Sequence, residues 1–313
     1  MNTDFPEDIF DINLKNPHIY KYKADAGKNI AASKKILFVG ICRNVEDTLS
    51  LNLERIIKTS KLFQDFSIFL YENDSTDKTV DVLKTYKSKT KLEFISDHRH
   101  DKNYRQNLDN GIDPWHYNRC KILADCRNKY INYMVQHFSD YDYLCVLDLD
   151  IKGGWSYTGF NHALFTLESD PQYACVSSYG VLSEPTNTKP LENYDIDDYI
   201  MYDSFAFRPL NMPRGIHILL TPAFNRITLN RGDDPVEVLS NFGGMSIYKL
   251  PLILNKKYGA KQWEEGEVDP DHVVLNRQLI NEGYKIILDP SMIVSYSDHQ
   301  YSRNTNDKLI NTH

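Results

Sequence analysis

Nowhere in the 313 residues is there an apolar run approaching the roughly 20 residues that cross a bilayer. The first ten, MNTDFPEDIF, lack the basic start and apolar middle of a secretory signal. Together with a mean hydropathy of −0.50, this leads us to expect a soluble, cytoplasmic or otherwise non-membrane protein. Basic excess is missing as well: 43 Asp and Glu outnumber 36 Lys and Arg, for a net charge of −7. A nonspecific nucleic-acid surface needs the opposite balance, so no nucleic-acid partner is expected. The five cysteines, Cys42, Cys120, Cys126, Cys145 and Cys175, are odd in number and lack the short spacing of a zinc site. They read as free thiols in a reducing compartment. There is no internal repeat, low-complexity tract or clear linker.

The remaining composition is ordinary for a globular chain, with 41% hydrophobic and 25% charged residues. The length suffices for one large domain with a substantial core. Residues 1–33 are polar and read as an irregular N-terminal arm, and 34–313 as a single domain. Lys35–Ile41, Ser67–Tyr71, Lys91–Ile95 and Tyr143–Leu147 read as strands. Helices are expected at 47–60, around Val80, Leu83 and Tyr86, at about 117–138 and at 158–168. A strand follows at 173–177. Residues 183–235, rich in Pro, Asn and Asp, read as acceptor-side loops. Beyond them, order returns with 243–248, a helix at about 270–282, and strands at 284–288 and 292–295. This alternation predicts an α/β fold with a mostly parallel central sheet and helices on both faces.

In such sheets ligands bind outside the carboxyl ends of the strands. Three expected strands end in polar residues: Arg43-Asn44, Glu72-Asn73-Asp74 and Asp148-Leu149-Asp150. Asp-x-Asp suits a divalent, oxygen-seeking cation such as Mg2+ or Mn2+. The pattern occurs four times, at Asp140/Asp142, Asp148/Asp150, Asp195/Asp197 and Asp269/Asp271, and only the second directly follows an apolar strand. We therefore expect the metal at Asp148 and Asp150; the alternative is a solvated strand end or a helix cap. Glu72 and Asp74 are candidates for hydrogen bonds to a base or ribose, with Asp77 as a helix cap. Arg119 and Arg127 lie eight residues apart on one face of the long helix, where guanidinium groups suit a diphosphate. Asp97-His98-Arg99-His100-Asp101 reads as a polar loop near the site mouth. Asp271 opens a helix and is the candidate base or acceptor-orienting group, or merely an acid favoured by the helix dipole. His299, just past the last strand, is the candidate third metal ligand.

The order of these motifs resembles GT-A glycosyltransferases, and within them the fungal capsular α-1,3-mannosyltransferase group, glycosyltransferase family 69. The matching runs are Ile41–Asn44, Tyr71–Thr79, Ala124–Asn128, Val146–Asp150, Tyr202–Arg208, Asn241–Met245 and Asp271–Val273. The resemblance implies a GT-A (Rossmann-like) fold, a GDP- or UDP-hexose donor, and a Mn2+ or Mg2+ ion at Asp148 and Asp150. It further implies nucleotide contacts around Arg43, Asn44, Glu72 and Asp74, and a phosphate contact at Arg127. The acceptor would be a glycan or protein hydroxyl. Gly243 and Gly244 would let the backbone approach the sugar or acceptor closely. Two other readings stay open. A sugar-nucleotide nucleotidyltransferase would need a glycine-rich phosphate loop, which Gly40-Ile41-Cys42-Arg43-Asn44 is not. A non-catalytic binding module on the same scaffold would keep the fold without turnover.

Overall fold

The structure, a computed structural model, describes residues 5–11, 13–99, 117–183, 199–211, 229–263 and 267–296. In chain order its elements begin with α1 (Glu7–Asp11), α2 (Pro17–Ala31), β1 (Lys35–Cys42), α3 (Glu46–Ser60) and β2 (Asp65–Asn73). Next come α4 (Thr79–Lys87), β3 (Leu92–Asp97), α5 (Tyr117–His137), β4 (Tyr143–Leu147), β5 (Gly154–Trp155) and α6 (Tyr157–Glu168). β6 (Tyr173–Ser183), β7 (Tyr199–Met201), β8 (Arg208–Pro209), β9 (Val236–Ser240) and β10 (Met245–Lys249) follow. The last are β11 (Lys261–Gln262), β12 (Val268–Asp269), α7 (Asp271–Asn281) and β13 (Lys285–Ser295).

The main sheet runs β3-β2-β1-β4-β10-β6-β13-β9-β8, with β5 on β13 and β7 on β6. The pairs β3/β2, β2/β1, β1/β4 and β6/β13 are parallel. β10 runs antiparallel between β4 and β6, so the strands on either side of it point the same way. The α/β architecture and mostly parallel sheet are those expected of a GT-A fold.

Strand alternation divides the core into two layers. Leu37 and Val39 of β1, with Leu144 and Val146 of β4, face α5 and α7 through Ala124, Tyr130, Leu275 and Leu279. Ile36 and Phe38, with Tyr143, Cys145 and Leu147, face the opposite way onto Leu49, Leu53 and Ile56 of α3 and Phe160 of α6. All five cysteines are free and buried. Among the described residues no helix is long and apolar enough to cross a membrane.

Two expectations are corrected. The N-terminal arm is not irregular where it is described: it holds α1, and α2 packs along α6 through Tyr20, Ala24, Gly27 and Ala31. The stripe is made of small residues, so its burial depends on close approach rather than on bulky apolar side chains. A Cβ on Gly27 would sit 1.8 Å from the Asn161 carbonyl oxygen. Tyr20 stacks on His162 and hydrogen-bonds Thr158 at 2.7 Å. α1 is tied down by buried Arg231, which pairs with Glu7 and Asp11. Secondly, the two strands expected at 284–288 and 292–295 are one strand, β13, with a register shift between Asp289 and Ile293. Pro290 lies in that shift, where its missing N–H interrupts the ladder.

Candidate active site

After β1 the chain builds β2 and β3 on one side, then returns to place β4 on the other side of β1. The carboxyl ends of β1 and β4 therefore open a crevice at the point where strand order reverses. A cleft of about 480 Å³ lies there. Arg43, Asn44, Asn73, Arg119, Arg127, Asp148, Asp150, Asp203, Asp271 and His272 all line it.

The turn after β4 is set by alternation. Leu149 and Ile151 are buried, while Asp150 is exposed. The Leu149 carbonyl accepts from Thr48 Oγ1 at 2.7 Å and from Asn52 Nδ2 at 2.9 Å, and the Ile151 carbonyl accepts from Asn52 Nδ2 at 2.9 Å. These bonds pin the segment to α3 and leave both aspartates pointing into the cleft. The Asp148 amide donates to the Gly244 carbonyl at 3.0 Å. Its carboxylate accepts from the Tyr296 hydroxyl at 2.6 Å and lies 3.5 Å from Arg127 Nη2.

Four carboxylates share the cleft with one buried guanidinium. Burial raises the Asp148 pKa, partly offset by Arg127 and the Tyr296 bond. Asp150 is open to the cleft yet flanked by protein; that crowding, and then the Asp148 charge, push its pKa up to about 6. Asp203 is pushed up to about 8 by burial, then by the charges of Asp148 and Asp271. Mutual repulsion of this kind marks a place that a cation would stabilise. Among the described residues no three His, Cys, Asp or Glu side chains cluster closely enough to hold an ion by themselves. Two hard oxygen donors suit an ion that takes its remaining ligands from phosphate and water.

Arg127 was expected to face a phosphate. It is instead 5% exposed, with Nε donating to Asp271 Oδ2 at 2.6 Å and its guanidinium 5.3 Å from the centre of the Phe242 ring. Asp271 Oδ1 accepts from the His272 amide at 3.0 Å, so both its oxygens are engaged. Arg119 also lines the cleft, and no described carboxylate pairs with it.

Glu72 and Asp74, expected to contact a nucleotide, turn away from the cleft. Glu72 is 1% exposed and accepts from the Ser75 amide at 2.8 Å and from the Ser96 hydroxyl. Asp74 is 2% exposed, has φ 55°, and accepts from the Arg99 amide at 3.3 Å. They build the loop rather than the cleft wall. Asn44 lines the cleft and supports that loop, its Oδ1 accepting from the Thr76 amide at 2.8 Å. Asp77, expected to cap a helix, accepts from the Thr79 amide at 2.9 Å and the Glu46 amide at 3.0 Å.

Gly243 and Gly244 do not line the cleft either. Both have positive φ, 61° and 91°. A Cβ on Gly243 would meet the Ser178 carbonyl oxygen at 2.2 Å, and one on Gly244 the Tyr296 hydroxyl at 2.7 Å. The glycines thus admit Ser178 and Tyr296, and through Tyr296 they help orient Asp148. His299 and the Asp195/Asp197 pair lie outside the described residues. The other two Asp-x-Asp pairs are largely consumed by structure. Asp140 and Asp142 bind Lys35 and Lys34 at 2.7 and 3.0 Å. Asp269 binds Arg208 at 3.2 Å and Arg277 at 3.1 Å.

Sequence reasoning did not single out Asp203, Tyr202, Tyr296 or His272 as site residues. Tyr202 stacks on Tyr296 with ring centres 3.5 Å apart. His272 is buried against Phe242, neither ring nitrogen has a hydrogen-bond partner among the described residues, and burial lowers its pKa well below the usual histidine range. No spacing rule picks out such residues; for Tyr202, Asp203 and His272 the signal was their place in the runs Tyr202–Arg208 and Asp271–Val273, and Tyr296 had none.

No family model matches the chain, and no curated protein matches it. Among solved structures it is similar to a mannosyltransferase from Pyrobaculum calidifontis in complex with GDP-Man and Mn2+, at 12% identity over 89% of this chain and 64% of the other, TM-score 0.48. It is also similar to GalNAc-T7 with UDP, GalNAc and Mn2+, at 14% identity over 84% of this chain and 44% of that one, TM-score 0.48. A third is glucosyl-3-phosphoglycerate synthase of M. tuberculosis, at 12% identity over 92% and 83%, TM-score 0.45. The chain spans less than two thirds of the length of the first two.

Proposed function

We propose that this chain is a metal-dependent glycosyltransferase of the GT-A type, allied to family 69. It would move a hexose, mannose or glucose, from a GDP- or UDP-sugar to a glycan or protein hydroxyl. The observation that carries the reading is Asp148 and Asp150, projected together from the end of β4 into the cleft where strand order reverses. Their raised pKa values mark a site short of positive charge.

Asp148 and Asp150 would hold the cation. When bound, a Mn2+ or Mg2+ ion supplies Lewis-acid stabilisation of the departing diphosphate. Arg119 and Arg43, which both line the cleft, would bind diphosphate oxygens. Asn44 and Asn73 offer amide groups to the nucleoside. Tyr296 and Arg127 hold Asp148 in place. The ion pair of Asp271 with Arg127 supports a positioning role for Asp271 over that of a general base.

A nucleotidyltransferase is disfavoured by Gly40. Its missing side chain lets β1 lie against β4, since a Cβ would meet the Leu147 carbonyl oxygen at 2.7 Å; it does not form a phosphate loop. The test is incubation of the protein with GDP-mannose or UDP-glucose, Mn2+ and a panel of glycan acceptors. Release of nucleoside diphosphate with a glycosylated product is expected. Pyrophosphate release from a nucleoside triphosphate and a sugar phosphate would favour the nucleotidyltransferase. Binding without turnover would favour the binding module.

A further inference from the structure

We infer that Asp203 reads the sugar carried by the donor, its carboxylate accepting hydrogen bonds from hydroxyls of that hexose. This deepens the glycosyltransferase reading and rests on it. Sheet order sets the layout. Arg43, Asn44 and Asn73 stand at the ends of β1 and β2, and Asp148 and Asp150 at the end of β4. Asp203 follows β7, which pairs with β6 on the far side of β10. Two strand spacings, roughly 10 Å, separate β4 from β6. A nucleoside diphosphate sugar whose diphosphate sits at Asp148 and Asp150, and whose nucleoside lies toward β1 and β2, therefore extends its sugar toward Asp203.

The side chain is suited to that task. It lines the cleft, and among the described residues no cation forms an ion pair with it. A carboxylate offers acceptors on two oxygens, which suits adjacent hydroxyl donors. The backbone holds it in a restricted conformation, φ 61°, which non-glycine residues adopt where the surrounding structure imposes it. Here the surroundings are specific. The Tyr202 amide donates to the Gly180 carbonyl at 2.8 Å, and the Ala206 amide to the Asp203 carbonyl at 3.1 Å. The Tyr202 ring stacks on Tyr296, whose hydroxyl bonds Asp148. One rigid unit thus links the proposed sugar-reading carboxylate to the proposed metal-binding one, and rigid support is what recognition of a sugar's stereochemistry requires.

The test uses the whole chain carrying Asp203→Asn or Asp203→Gly, since asparagine tolerates left-handed backbone and glycine adopts it freely. GDP, UDP, GDP-mannose and UDP-glucose are titrated calorimetrically, each with Mn2+. The nucleoside diphosphate that the wild type binds should stay bound within about twofold in both variants. Its sugar conjugate should lose on the order of tenfold in Asp203→Gly, the worth of a charged hydrogen bond, and less in Asp203→Asn. Equal loss for both ligands would make Asp203 a part of the metal or folding apparatus and overturn the inference. So would unchanged affinity for the conjugate. A wild-type protein that binds neither nucleoside diphosphate overturns the transferase reading itself, and this inference with it.

Discussion

Asp271→Ala separates a positioning carboxylate from a catalytic base. The Arg127–Asp271 pair spans 2.6 Å, with side chains 7% and 6% exposed. At an effective dielectric constant of 20, the gross attraction at that distance is about 6 kcal/mol. Removing one partner of a buried pair costs about 3–5 kcal/mol, because the other charge stays buried. Asp148, 3.5 Å from Arg127 Nη2, remains as a second anion and places the cost near the lower end, at about 3 kcal/mol. For 313 residues, with an unfolding entropy of roughly 2 cal/mol/K per residue, that lowers Tm by about 5 °C. Asp271→Asn keeps an acceptor and should lose about half as much. Arg127→Met combined with Asp271→Leu removes both charges and should recover most of the stability. Tm is read by calorimetry and kcat by nucleoside diphosphate release. If Asp271→Asn melts like the wild type while kcat falls by about 1,000-fold or more, the base assignment stands and the positioning account fails.

Three further outcomes follow from other contacts. The folded-state pKa of Asp203 is raised to about 8. Between about pH 4, where an unfolded aspartate ionises, and pH 8, the metal-free folded state therefore holds the extra proton, and its stability falls as pH rises; a cation at Asp148 and Asp150 offsets their charge and favours the Asp203 carboxylate. Asp203→Asn should flatten that fall in metal-free protein, and parallel wild-type and variant curves of Tm against pH would refute the assignment. Gly27→Ala would drive a Cβ into the Asn161 carbonyl and should cost about 1–3 kcal/mol by overpacking; an unchanged melting temperature would mean α2 does not dock as described. Tyr296→Phe removes the bond that orients Asp148 and should weaken Mn2+ binding about 10-fold, whereas equal affinity by calorimetry would show that the bond is dispensable.

The central strands were legible as short continuous apolar runs such as Ile36–Ile41, which a sheet buried on both faces demands, and the long helices by the helical spacing of their apolar residues. The switch-point position of Asp148 and Asp150 was legible for the same reason, since an apolar strand such as Tyr143–Leu147 must end at the sheet edge. α2 was not, because a Tyr-Ala-Gly-Ala stripe buries little apolar surface and signals contact only by the smallness of its residues. Glu72 and Asp74 show the converse failure. Acidic residues after a strand look alike whether they face a ligand or satisfy the amides of their own turn, and here the turn claims them. Arg127 was placed at the cleft by its helix, yet the carboxylates that neutralise it come from Asp148 and Asp271, residues remote in sequence. Asp203 depends on a loop whose conformation is set by stacking on Tyr296 rather than by local pattern.

The most direct measurement is calorimetric titration of GDP-mannose and UDP-glucose into the wild type and Asp150→Ala, with and without Mn2+. The account predicts that one donor binds the wild type only with Mn2+. It also predicts that Asp150→Ala abolishes this binding while its metal-free melting temperature does not fall. Equal binding with and without Mn2+, or equal binding by Asp150→Ala, would contradict it.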